Sequence, residues 1–122
     1  MNKRQEEIEK RKVLDMVRHT SRSGNQMNCF KFYNSEKENH IRLKFETFLT
    51  LRRMGFDCWT EIIFLSGIRM DILGFREGRW INVEVLSTET EEKLLFKAKK
   101  YPSEIELIKI SSEKDLKELE MI

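Results

Sequence analysis

The sequence predicts an α/β domain built on a mixed central sheet of about four strands, in the order helix, three strands, helix, strand, behind an N-terminal helical appendage. Three observations carry that prediction. An amphipathic stretch from about residue 36 to 54 stops at Gly55, two β-rich runs meet at Glu77-Gly78, and EIELIKI (104–110) alternates in the manner of a strand. With 122 residues the chain fits one core, which on folding buries roughly two thirds of the surface of the unfolded chain. Residues 1–28 read as a charged helix and linker, and 29–122 as the α/β domain.

Each element has its own signal. Residues 3–19 form a charged helix whose sparse apolar stripe, Ile8, Val13, Leu14 and Val17, needs a surface to dock on. Thr20 to Asn28 is a linker by composition. Ser35 and Glu38 have capping-box spacing at the start of the next helix, and Gly55 stands where a left-handed stop belongs. At about 100° per residue, Ile41, Phe45, Phe48 and Leu49 share the face that meets a sheet. FDCWTEIIF (56–64), RMDILGFR (69–76) and RWINVEVL (79–86) are rich in β-formers, with turns at Ser66-Gly67 and Glu77-Gly78. Thr88 and Glu91 repeat the capping-box spacing before a helix that Tyr101-Pro102 closes, and Ser112 caps a short C-terminal helix.

Composition narrows the function classes. The formal charge is only +2, although residues 1–22 hold seven Lys or Arg against four acids and 103–122 hold six acids against three Lys. That asymmetry permits local phosphate contact without an overall basic field. Cys29 and Cys58 are isolated, which argues for a reducing cytoplasm and against a zinc site, and both are expected to be buried. No apolar run approaches the roughly 18 residues of a membrane span. Abundant Glu and Lys with a single Pro lean toward a thermophilic source.

The chemistry is concentrated in the second hairpin. If Glu77-Gly78 is a two-residue turn, Arg76 pairs with Arg79 and Asp71 falls opposite Glu84. Directly opposed residues hold their Cβ atoms about 4.5–5.5 Å apart on one face, so two carboxylates are placed side by side in otherwise apolar strands. Like charges there repel unless one is protonated or a hard cation such as Mg²⁺ lies between them. Tracing the chain back through the preceding strand brings Glu38 and Glu61 toward the same edge. Glu38 lies within the apolar sector of its helix and is the preferred first-helix acid. Glu61 joins the face of Asp71 only if the turn around Ser66-Gly67 has an odd number of residues. No GxSxG, GxxxxGK[ST] or HExxH motif offers a rival site.

Helix, strand, Asp-bearing strand, Glu-bearing strand, helix, strand resembles the restriction-endonuclease-like core of the PD-(D/E)xK nucleases over about residues 35–110. The resemblance implies that Asp71 in RMD and Glu84 in VEVL are the family's metal-binding acids, and that the chain uses Mg²⁺ or Mn²⁺ to hydrolyse DNA. The family's lysine, two residues beyond the acid, is replaced here by Leu86. Competence-protein (CoiA-like) and archaeal resolvase-like branches come nearest. The former carries a Glu-x-x-His-x-x-x-Lys-like pattern in the first helix, and SEKENHIRLK supplies Glu36, Glu38, His40 and Lys44. Glu36, His40 and Lys44 follow one another at i, i+4 spacing and line one flank.

Glu38, His40 and Lys44 therefore join Asp71 and Glu84 as candidate catalytic residues, and Arg69, Arg79, Lys93 and Lys97 are candidate nucleic-acid contacts. For His40 and the lysines an ordinary surface role competes with the catalytic one. Trp59 and Trp80 read as core anchors rather than base-stacking platforms. Leu86 keeps open a second class of function, a nuclease-fold module that binds nucleic acid or a partner without cutting, and a protein-only interaction domain is a third. Cores of this size often pair, so a homodimer is also compatible with the sequence.

Overall fold

The computed structural model describes residues 2–18, 26–86 and 91–122. Its elements are α1 (Lys3–Leu14), α2 (Glu38–Arg53), β1 (Asp57–Ile63), β2 (Arg69–Arg76), β3 (Arg79–Val85), α3 (Glu91–Ala98), β4 (Ile105–Ile110) and α4 (Glu113–Leu119). The four strands form one mixed sheet in the order β1-β2-β3-β4. β1–β2 and β2–β3 are antiparallel, and β4 returns through α3 to run parallel to β3. No helix among the described residues is long and apolar enough to cross a membrane.

Local chemistry explains the turns. Arg76 pairs with Arg79, and the two residues between them, Glu77 (φ 49°) and Gly78 (φ 83°), both adopt positive φ. That conformation matches the right-handed twist of a tight hairpin and suits glycine at its second position. Ile63 pairs with Arg69, so the first hairpin turns through Phe64 to Ile68, an odd number of residues. α2 carries Glu38 in its first turn and Arg52 and Arg53 in its last, in keeping with the helix dipole, and ends at Met54 with Gly55 at φ 89°. Its N-cap is Lys37 without a side-chain bond, so the Ser35–Glu38 capping box does not form. The helix begins two residues later than the sequence signal, and Glu36 turns inward instead. Ser112 does cap α4. Thr88 and most of the linker lie outside the described residues.

The sheet buries both faces. On one, Cys58, Ile72, Ile81, Val83, Val85 and Ile110 pack with Phe48 and Leu51 of α2 and Leu119 of α4. On the other, Trp59, Leu73, Phe75, Trp80 and Ile105 pack with Val13 and Val17, so the N-terminal helix docks on the body of the domain. The Trp59 and Trp80 rings lie 5.8 Å apart inside this layer, in the core role expected of them. Cys58 is buried and its thiol pushed up to about 12, chiefly by desolvation. Cys29 is exposed, contrary to expectation. It belongs to a segment laid along the outer edge of β1, where Asn28 N–H donates to Cys58 O (2.6 Å) and Lys31 N–H to Thr60 Oγ1 (2.8 Å). Arg18 N–H to Ile63 O (2.7 Å) and Leu65 N–H to Met16 O (2.8 Å) extend this cover toward the first hairpin turn.

Candidate functional site

The β2–β3 ladder opens where the acids are. Ordinary pairing runs from Arg76↔Arg79 to Ile72↔Val83, the register that sets Asp71 opposite Glu84. Beyond that last rung Val85 N–H is accepted by Asp71 Oδ2, at 2.9 Å, in place of a strand carbonyl. The carboxylate of Asp71 is thereby fixed at the mouth of the hairpin. Glu84 shares a face of β3 with Trp80 and Asn82, is 3 % exposed, and lies within hydrogen-bonding reach of Asp71. Its Oε1 accepts the Tyr101 hydroxyl (2.6 Å) and the Asn82 amide (3.3 Å).

Burial, followed by the neighbouring Asp71 charge, pushes the Glu84 carboxyl up to about 8. Removing water penalises the charged form, and a second carboxylate penalises it again. The Tyr101 hydroxyl is likewise raised, first by desolvation and then by the Glu84 charge, so it remains a donor.

A second group of acids meets the first across β2. Thr60↔Ile72 and Ile62↔Met70 bracket Glu61 opposite Asp71, the outcome that the odd-length turn permits. Glu61 itself has φ 53°, a left-handed conformation that costs a non-glycine residue roughly 1–2 kcal/mol. The distortion resets the side-chain alternation of β1: Trp59 and Ile62 both enter the same core layer, while Glu61 reaches Lys44 of α2. Lys44 is fully buried, ion-paired to Glu61 and bonded to both oxygens of Glu36 at 3.0 Å. Burial outweighs the ammonium at Glu61, whose carboxyl is raised to about 7 with Asp71 contributing. At Glu36 desolvation is overcome by Lys44, and the pKa falls. His40 lies close enough to add its own field to Glu36.

The sequence candidates therefore separate. Asp71 and Glu84 are brought together, with Lys44 and Glu36 linked to them through Glu61 and His40 reaching only Glu36 among them. Glu38 is not part of the convergence, because it points outward from α2 and pairs with Arg42, both side chains about three-quarters exposed. The inward acid at that end of the helix is Glu36, freed from the helix by its late start. Arg69 is exposed beside the site, 4.0 Å from Glu61 and stacked over the Tyr33 ring. Arg79 starts β3, roughly 17 Å of strand away from Glu84, and is held by Glu106 (2.7 Å). Its sequence neighbourhood is basic, but the hairpin carries it to the opposite end of the sheet. Lys93 is exposed and Lys97 half-buried on α3.

Three participants were not anticipated. Asn82 is a fully buried polar residue two positions from Glu84, a spacing that gives it the same face. In the sequence Tyr101 reads only as part of a helix stop. Lys109 is registered beside Glu84 on β4 and is exposed, so a lysine flanks the acid from the next strand although Leu86 fills the position two residues on.

Among the described residues, no three His, Cys, Asp or Glu side chains form a ready metal cage. Two adjoining carboxylates suit a hard divalent ion that keeps much of its coordination for water and a phosphate. Tyr101 and Asn82 engage Oε1 of Glu84 and Val85 N–H engages Oδ2 of Asp71, and the two carboxyls lie near enough to raise the pKa of Glu84. No protein-family model, curated protein or solved structure matches the chain.

Proposed function

We propose that the chain is a Mg²⁺- or Mn²⁺-dependent nuclease that hydrolyses DNA phosphodiester bonds, with Asp71 and Glu84 as the metal-binding acids. The observation that carries this reading is the meeting of two carboxyls at the open end of a buried hairpin, with Glu84 raised to about 8 by burial and by Asp71. Such a pair is a poor structural device and a good cation site. The element order and the β1-β2-β3-β4 sheet, antiparallel then parallel, agree with the nuclease resemblance. When bound, the ion supplies a polarised phosphate and a water of lowered pKa.

The chain's own residues supply the rest. The Val85 N–H holds Asp71, while the burial of Glu84 excludes bulk water from one side of the pair. Lys109, beside Glu84 in the register, is placed to steady charge developing on the phosphate. Exposed Arg69 offers a contact to a neighbouring phosphate, salt-sensitive and indifferent to base sequence. Lys44 is committed to Glu36 and Glu61, and so acts on Asp71 through Glu61 rather than on substrate.

The test is cleavage of duplex, single-stranded and branched DNA with Mg²⁺ or Mn²⁺. Asp71→Ala is expected to lower the rate at least 100-fold with the fold retained, and wild-type turnover surviving in EDTA would defeat the proposal. Leu86 favours a second reading, a module that binds nucleic acid without cutting. Its half-buried side chain has no group to orient water, and its N–H is tied to Ile110 O at 2.8 Å. Salt-dependent binding with no turnover in either ion would select that reading.

A further inference from the structure

Tyr101 stands in the connection from α3 to β4, and its ring is packed against the core layer that holds Trp80 and Leu73. Only its hydroxyl reaches the acids, donating to Glu84 Oε1 at 2.6 Å. Asn82 donates to the same oxygen at 3.3 Å. Two donors converging on one oxygen hold that oxygen in place and leave the other uncommitted to them. The Asn82 side chain is itself fully buried between strands, so it is not free to swing, and its Oδ1 has no hydrogen-bond partner among the described residues. One fixed amide and one hydroxyl on a packed ring make a rigid mount.

From this geometry we infer that Tyr101 is a positioning residue for divalent-ion binding: it clamps Glu84 Oε1, with Asn82, so that Glu84 Oε2 is turned toward Asp71 and the ion. The inference rests on the metal-site reading above, and concerns Tyr101, to which that reading assigns no role. Donors behind a metal ligand orient it and tune its basicity, and their removal typically costs about 10- to 100-fold in metal affinity. A phenol placed only for packing has no such effect, since its ring would serve equally well without the hydroxyl.

The experiment is Mn²⁺ binding to the full chain, followed by the loss of the free-ion resonance, for the wild type, Asp71→Ala and Tyr101→Phe. The expected result is saturable binding by the wild type, loss of it in Asp71→Ala, and about tenfold weaker binding by Tyr101→Phe with an unchanged far-ultraviolet circular dichroism spectrum and melting temperature. Equal affinity of the wild type and Tyr101→Phe overturns the positioning role while leaving the metal site standing. Binding that Asp71→Ala does not weaken removes the metal site, and the role of Tyr101 with it. Because the chain has only two tyrosines, Tyr33 and Tyr101, a second measurement needs no variant. Mg²⁺ should shift the ring resonances of Tyr101 in the wild-type spectrum, and a ring unmoved at saturating Mg²⁺ overturns the inference even if Tyr101→Phe fails to fold.

Discussion

The two acid clusters at this end of the sheet meet the same electrostatic problem and resolve it differently. On the α2 side, Glu36 and Glu61 close around the buried ammonium of Lys44. On the β3 side, Asp71 and Glu84 face each other among dipoles: a backbone N–H, an amide and a hydroxyl. The first cluster is completed by a cation from the protein's own sequence. The second holds its charge down by keeping Glu84 protonated to about pH 8, the state that an incoming cation would displace. Glu61 belongs to the first cluster and feels Asp71 of the second, so the two are joined by one strained residue.

The largest effect should come from emptying the completed cluster. Lys44→Met leaves the buried Glu61 and the partly buried Glu36 without their counter-charge, and breaking a buried pair in this way costs roughly 3–5 kcal/mol. Urea denaturation should show the loss, and show it reduced at pH 5, where Glu61, raised to about 7, takes up a proton instead.

A smaller effect of opposite sign is expected at Glu84. Its pKa is raised from 4.5 to about 8 on folding, so the stability it contributes is full below pH 4.5 and is lost as pH rises through 8. Without divalent ions the wild type should therefore soften between pH 5 and 8. Glu84→Gln should flatten that slope and be the more stable of the two at pH 8. Excess Mg²⁺ should restore the wild type and leave the variant unchanged. If melting curves in EDTA show no pH slope that Glu84→Gln removes, the contrast between the clusters is lost. The smallest effect belongs to Arg79→Ala. Its partly exposed pair with Glu106 contributes at most about 1 kcal/mol, and cleavage and Mn²⁺ affinity should not change.

The hairpin was legible because its rules are local. A two-residue turn fixes the register, and the register places Asp71 against Glu84 before anything else about the fold is known. Helix ends were legible where one residue dictates the backbone, as at Gly55, and misleading where a side chain had alternatives. Ser35 and Glu38 had the right spacing for a cap, but Glu36 is bonded to Lys44 and the helix starts only at Glu38. That single choice sent Glu38 outward and Glu36 inward. Glu61 depended on the parity of a turn whose length composition alone did not set. Tyr101 and Lys109 come to Glu84 through a parallel crossover, and pairing across so much intervening chain leaves no periodic trace in sequence.

The segments laid along β1 have a consequence for how the molecule behaves in a crowd. An exposed strand edge is an invitation to pair with another chain. Here the backbone near residues 16–18 and 28–31 occupies much of that edge of β1. Removing the first 28 residues would strip the part of this cover near residues 16–18 and at Asn28, together with the Val13 and Val17 side chains beneath the sheet. The shortened chain should then be prone to assemble edge to edge into polymers, making the N-terminal segment a guard against self-association.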